Sequence, residues 1–346
     1  MINVPLLKEI CEAAGAPGFE QRIREIVIRE TKPLCDKISI DNMGNVICFK
    51  KGKKDKKVMI AAHMDEIGFM VTHIDDNGFL RFHTLGGFDP KTLTAQRVIV
   101  HGKKDLVGVM GCKPIHIMTA EERGKALHTS DYFIDLGMKK KEVEKHISVG
   151  NPITRERTLI EMGDCVNCKS IDNRVSVFIL IETLRELKST PYNVYGVFTV
   201  QEEVGIRGAS VAAHHIEPDF GFGLDTTIAY DVPEAKAHEM VTKLGEGTAI
   251  KVMDSSTICD VRMVEFMKKT ANKYKIKWQL EVLTAGGTDT AGVQRMGKNG
   301  AIAGCVSIPT RHIHQVIEMA SKSDIRDSIT LLKHCIQDIE TYNWSF

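Results

Sequence analysis

Five short clusters of acidic and imidazole side chains punctuate this chain, and four of them stand at or just beyond the end of an apolar run. They are His63-Met64-Asp65, Ile171-Asp172-Asn173-Arg174, Gln201-Glu202-Glu203, Leu224-Asp225-Thr226 and His312-Ile313-His314. A continuous apolar run such as Val58-Met59-Ile60-Ala61-Ala62 is expected of a strand buried on both faces. The cluster around Asp172 opens a helix-like run instead. Ionisable groups delivered to the ends of buried strands are costly unless something pairs them. A pair of divalent cations would pair so many carboxylates at once, so the clusters predict one shared two-metal site.

The periodicity around the clusters sets the fold class. Helical spacing fits Val4 to Ala14 and Phe19 to Thr31, divided by Gly15 and Pro17-Gly18. Strands are expected at Lys37 to Asp41 and Val46 to Lys50, joined by a hairpin over Asn42-Met43-Gly44-Asn45. The lysine-rich run Lys51 to Lys57 reads as a second, solvated hairpin turn. From about Phe69 to Glu161 the texture is short β-like runs with turn signals, and the one helix candidate lies near Lys139 to His146. Alternation then returns. Helices are expected at Arg174 to Leu187, Ile206 to His215, Cys259 to Lys273 and Ser323 to Tyr342. Strands are expected at Asn193 to Val200, Asp219 to Leu224, Lys277 to Val282 and Ala301 to Val306. The expectation is an α/β fold, a mostly parallel sheet flanked by helices. Residues 1–68 and 162–346 would form its body and 69–161 an inserted small β-rich domain. Sites in such sheets gather at the carboxyl ends of strands.

Composition removes several classes of function. Lys plus Arg number 46 and Asp plus Glu 45, a formal charge of +1, so no basic surface for nucleic acid is expected. No apolar run approaches the ~20 residues of a membrane helix. The first residues carry Lys8, Glu9 and Glu12 within an amphipathic pattern rather than a signal peptide. Nine scattered cysteines, an odd number, read as reduced thiols in a cytoplasmic protein. Cys165-Val166-Asn167-Cys168 has no second pair, which argues against a zinc ribbon.

Each cluster also has a plainer reading. His63 and Asp65, two apart, share a face on extended backbone, so one can bind metal while the other orients it. Glu202 and Glu203 would leave an extended backbone in opposite directions, suiting one to a cation and the other to protons; the alternative is that acids favour a helix N-terminus. Asp225 alone could cap a turn, and Asp172 alone could cap the helix after it. His312 and His314 also share a face, and spacing does not choose between them.

Assembled, these residues resemble the glutamyl-aminopeptidase family of co-catalytic metallopeptidases, whose members include the tetrahedral aminopeptidases. The resemblance is carried by Ala61-Ala62-His63-Met64-Asp65-Glu66-Ile67-Gly68, Ser170 to Arg174, Val200 to Gly205, Gly223-Leu224-Asp225, Gly286-Gly287-Thr288-Asp289 and Ile308 to His314. It implies a zinc-exopeptidase-like fold in which Asp172 bridges two metals. One metal would also take His63 and Asp225, and the other Glu203 and His314. Glu202 would be the general base and Asp65 the carboxylate behind His63, with Gly286 and Gly287 near the substrate. The inserted domain would serve oligomerisation or act as a lid in a homo-oligomer of the tetrahedral dodecamer kind. His312 stands where the family commonly has tyrosine, Gln315-Val316 replaces a common Ser-Pro, and Ser170 replaces a small apolar residue.

The chemistry such a site supports is peptide hydrolysis, with two cations holding and acidifying a water and Glu202 moving its proton. Mixed nitrogen and oxygen ligands suit zinc or cobalt, with manganese an option. The expected activity is release of N-terminal residues from short peptides. A glycoside hydrolase would need two carboxyls facing across a sugar, which adjacent Glu202-Glu203 supply poorly. An inactive scaffold would have lost a ligand, and none is missing.

Overall fold

The computed structural model describes residues 2–346. Eleven strands form one sheet with helices on both faces, and six more close into a separate barrel. Strand Lys54–His63 lies at the sheet's centre, parallel to Tyr192–Thr199 on one side and Phe220–Ile228 on the other. Its residues alternate between two layers. Val58, Ile60 and Ala62 join the large core built with helices Val4–Glu12, Ile171–Glu186, Val261–Lys273 and Lys322–Asp338. Met59 and Ala61 pack against Ala212, Ala213, Ile216 and Val293 on the opposite face. Burial on both faces is why this strand reads as unbroken apolar sequence.

The expected mostly parallel sheet is parallel only at its centre, in Tyr192–Thr199, Lys54–His63, Phe220–Ile228 and Ile302–Arg311, and in the side pair Thr248–Met253 with Trp278–Val282. Elsewhere pairing is antiparallel. Strand Glu318–Ser321 returns directly from Ile302–Arg311 and pairs with Cys165–Cys168, itself paired with Ile160–Met162. Parallel neighbours need a long crossover, and the links from Arg311 to Glu318 and from Met162 to Cys165 are too short to supply one. The lysine-rich run is not a hairpin either. Tyr192–Thr199 pairs with both Val46–Lys50 and Lys54–His63 and so separates them.

The barrel consists of Gly68–Ile74, Leu80–Leu85, Phe133–Asp135, Asp105–Gly111, Arg97–His101 and Pro152–Arg155. Its own core includes Phe69, Val98, Val100, Tyr132, Ile134 and Ile153. Strand Gly68–Ile74 begins five residues after His63, so the barrel follows directly on the loop that leaves His63 and carries Asp65. No described helix is long and apolar enough to cross a membrane.

Candidate metal centre

His63 ends the central strand, next to Thr199 in register. Its Nε2 lies 3.5 Å from Asp172 Oδ1 and 3.8 Å from both Asp225 Oδ1 and Glu202 Oε2. The other ring nitrogen, Nδ1, is 3.1 Å from the backbone carbonyl of Asp65 and 3.5 Å from its carboxylate. His314 Nε2 lies 3.4 Å from Asp172 Oδ2 and 3.5 Å from Glu203 Oε2. Two donor groups result, His63/Asp172/Asp225 and Asp172/Glu203/His314, each with its ligand atoms within 4.8 Å of one another. Asp172 is common to both.

Local backbone accounts for these positions. Asp172 and Asn173 have non-helical dihedrals at the start of helix Ile171–Glu186, whose N-cap is Ser170. The capping role is therefore not that of Asp172, whose carboxylate turns to the two imidazoles. Asn173 Nδ2 donates to the Leu224 carbonyl at 2.8 Å, tying this segment to the strand that carries Asp225. Gln201, with φ of 55°, turns the chain out of strand geometry. Glu202 and Glu203 consequently do not splay to opposite sides, and both line one cavity. Asp65 holds them there: its Oδ1 accepts the Glu202 N–H at 3.0 Å and its Oδ2 the Glu203 N–H at 3.1 Å. His312 and His314 both have positive φ, 62° and 63°, so the extended-face argument does not apply. His314 points at Asp172 and Glu203, whereas His312 is exposed at the cavity.

The donors suit divalent cations. Asp172 Oδ1 and Glu203 Oε1 are buried without a hydrogen-bond partner. Burial pushes the Glu203 carboxyl up to about 8. His314 goes up to about 10, because Glu203 and Asp172 beside it outweigh the burial that opposes its charge. Asp172 also feels burial, but His314 and His63 hold its carboxyl well below the usual range. These are acids crowded in a dry space with only imidazoles for counter-charge. Of the nearby buried cations, Arg155 has no hydrogen-bond partner and its charge acts on Glu318, whereas two others are engaged elsewhere. Lys169 Nζ sits 2.7 Å from both Glu66 oxygens, and Arg174 donates to the Ile10 and Ala13 carbonyls.

Two residues of the site were given no role in the sequence reading, although Asp289 stands in one of the segments that carry the resemblance. Glu318, fully buried, accepts the Asp172 N–H at 2.9 Å and the His314 N–H at 2.8 Å. One carboxylate therefore fixes the backbone of both residues. Its only local signal is an acid four positions after His314. Asp289, also buried, accepts the Thr199 hydroxyl and follows the Gly286-Gly287 loop, whose two glycines line the cavity. Gly87, from the barrel, lines it too, and a Cβ there would lie 3.4 Å from His314 Nδ1.

The family model described as M42 glutamyl aminopeptidase matches residues 44–331. A lysyl aminopeptidase of Pyrococcus furiosus is 32% identical, covering 100% of both chains. The crystal structure of a TET aminopeptidase from a marine-sediment Thaumarchaeota archaeon superposes with a TM-score of 0.94 at 36% identity, over 96% of this chain and 95% of that one. The TET1 peptidase of Pyrococcus horikoshii, described as assembling into a tetrahedron or a large octahedral shell, gives 0.87 at 31% identity, over 96% and 98%.

Proposed function

The chain belongs to the M42 glutamyl aminopeptidase family and is a metal-dependent aminopeptidase, and on that premise we propose how its residues divide the work. One cation would be held by His63, Asp172 and Asp225 and a second by Asp172, Glu203 and His314, with zinc or cobalt favoured and manganese an option. The observation that carries this is the sharing of Asp172 between two donor groups, each with its atoms within 4.8 Å. Divalent cations so placed act as a Lewis acid toward a carbonyl oxygen and make a water more acidic. Glu202 serves as general base: its Oε2 faces His63 Nε2 across 3.8 Å. It takes the proton of the attacking water and returns it to the leaving amine. Asp65 keeps Glu202 and Glu203 aimed into the cavity through their N–H groups. Gly286 and Gly287 form part of the wall against which a short peptide lies.

Family membership selects peptide hydrolysis over the glycoside chemistry and the inactive scaffold that the sequence left open. We further read the sheet as zinc-exopeptidase-like, with 1–68 and 162–346 as the catalytic body. Residues 69–161 become an oligomerisation domain or lid in a cytoplasmic tetrahedral dodecamer. The test is a panel of free and N-blocked aminoacyl chromogenic substrates, given to chelator-stripped enzyme reloaded with zinc, cobalt or manganese. Release only from substrates with a free amine, and only after metal return, is expected. Equal cleavage of blocked substrates would contradict the reading.

A further inference from the structure

The cavity above the metal centre measures about 960 Å³ and changes character with distance from it. Its floor carries the acids and imidazoles described above. Its wall is apolar, formed by Ile206, Ile228, Tyr230, Val232, Leu283 and Ile313. Ile228 is 39% exposed and Tyr230 46%. Large apolar side chains left bare inside a cavity mark a surface that a ligand covers.

Charge is present near this wall but already paired. Lys251 lines the cavity, yet it is buried, with Nζ 3.1 Å from Asp254 Oδ2 and 2.9 Å from Glu281 Oε1. Asp254 in turn accepts the N–H groups of Ser256 and Thr257, each at 2.8 Å, and the Thr288 hydroxyl at 3.0 Å. Glu281 is fully buried behind Lys251. Asp231, just beyond strand Phe220–Ile228, and Arg311, the last residue of strand Ile302–Arg311, pair with each other at 2.6 Å. Apart from His312, which stands exposed at the cavity, an incoming carboxylate or ammonium would therefore shed its water against apolar surface without gaining a charged partner. The same hydrogen bonds fix the opposite wall, since Asp254 holds Thr288 and the Ser255 N–H donates to the Gly286 carbonyl at 3.1 Å. The cavity is thus pre-shaped.

We infer that this cavity selects peptides whose N-terminal side chain is uncharged and apolar, of about leucine size, and that Ile228 and Leu283 are specificity-determining residues. The inference rests on the aminopeptidase reading above and names its substrate class.

Two experiments test it. With metal-loaded enzyme, kcat/KM for leucine 4-nitroanilide should exceed that for alanine by about tenfold and those for glutamate and lysine by about a hundredfold. Leu283→Lys should raise the glutamate-to-leucine ratio at least about tenfold. The second experiment needs no turnover. Calorimetry of L-leucine, L-glutamate and L-lysine on metal-loaded Glu202→Gln protein should show leucine bound at least about tenfold more tightly. Glutamate or lysine equal to or above leucine in either experiment overturns the inference. Tight leucine binding without cleavage of any anilide would leave the inference standing and count against the aminopeptidase reading alone.

Discussion

The Asp65 carboxylate accepts the backbone N–H of Glu202 at 3.0 Å, so the residue behind the proposed ligand His63 also sets the direction of the proposed base. Asp65→Asn replaces one accepting oxygen with an N–H donor, which faces the Glu202 or Glu203 amide. Loss of the carboxylate behind a ligating histidine typically weakens metal binding 10–100-fold. We expect that weakening, together with a fall in kcat of about tenfold or more. Chelator competition measures the first and steady-state kinetics the second. Wild-type values for both would remove Asp65 from the site.

Glu202→Gln separates proton transfer from metal binding. The amide keeps the size of the side chain but takes no proton, so turnover should fall about 10²–10⁴-fold. The two donor groups do not include Glu202, so metal content by elemental analysis should stay near two ions per chain. Unchanged turnover would exclude Glu202 as the base.

Lys169 and Glu66 are both buried, with Nζ 2.7 Å from each Glu66 oxygen. Lys169→Met leaves Glu66 buried with only Arg174, 3.7 Å away, as counter-charge. Breaking a buried pair from one side costs about 3–5 kcal/mol. The denaturant midpoint should drop accordingly, and Lys169→Met combined with Glu66→Gln should recover part of the loss. A midpoint within error of wild type for the single variant would show that the pair contributes little.

Asp327 gives a stability effect with a defined pH sign. Burial first, and Asp324 second, push its carboxyl up to about 6 from the ordinary 3.8. The folded state then holds the proton more tightly than the unfolded state, so this group's contribution falls as pH rises from about 4 to about 6. The side chain is partly exposed, and screening limits the effect to less than about 1 kcal/mol. Asp327→Asn should therefore gain midpoint relative to wild type at pH 7 and lose that gain at pH 4. Parallel curves would refute the shift.

Local pattern served the sequence reading well where structure is local. Strand Val46–Lys50 lies where alternation put it, and the apolar run ending at His63 is the centre of the sheet. It failed where partners come from far along the chain. The lysine-rich run looked like a hairpin because nothing nearby announces that Tyr192–Thr199 inserts between its flanking strands. Glu318–Ser321 and Cys165–Cys168 are four residues each, too short for periodicity, and Glu318 went unnoticed with them. Among the candidate site residues, the clusters named in the sequence face one cavity. The directions assumed for Glu202, Glu203, His312 and His314 rested on extended backbone, and positive φ at Gln201, His312 and His314 replaces it. Side-chain spacing transmits facing only while the strand lasts.

The central position of Lys54–His63 carries a cost during synthesis. A ribosome delivers this strand long before either of its parallel neighbours, and the whole barrel emerges in between. Until Phe220–Ile228 follows, a nascent chain exposes a hydrophobic ribbon with unfilled edges, the state most prone to associate with other chains. On the proposed assignment the first donor group is incomplete until Asp225 has been made and the second until His314 has, so neither cation would have its full set of ligands while the strand is still bare.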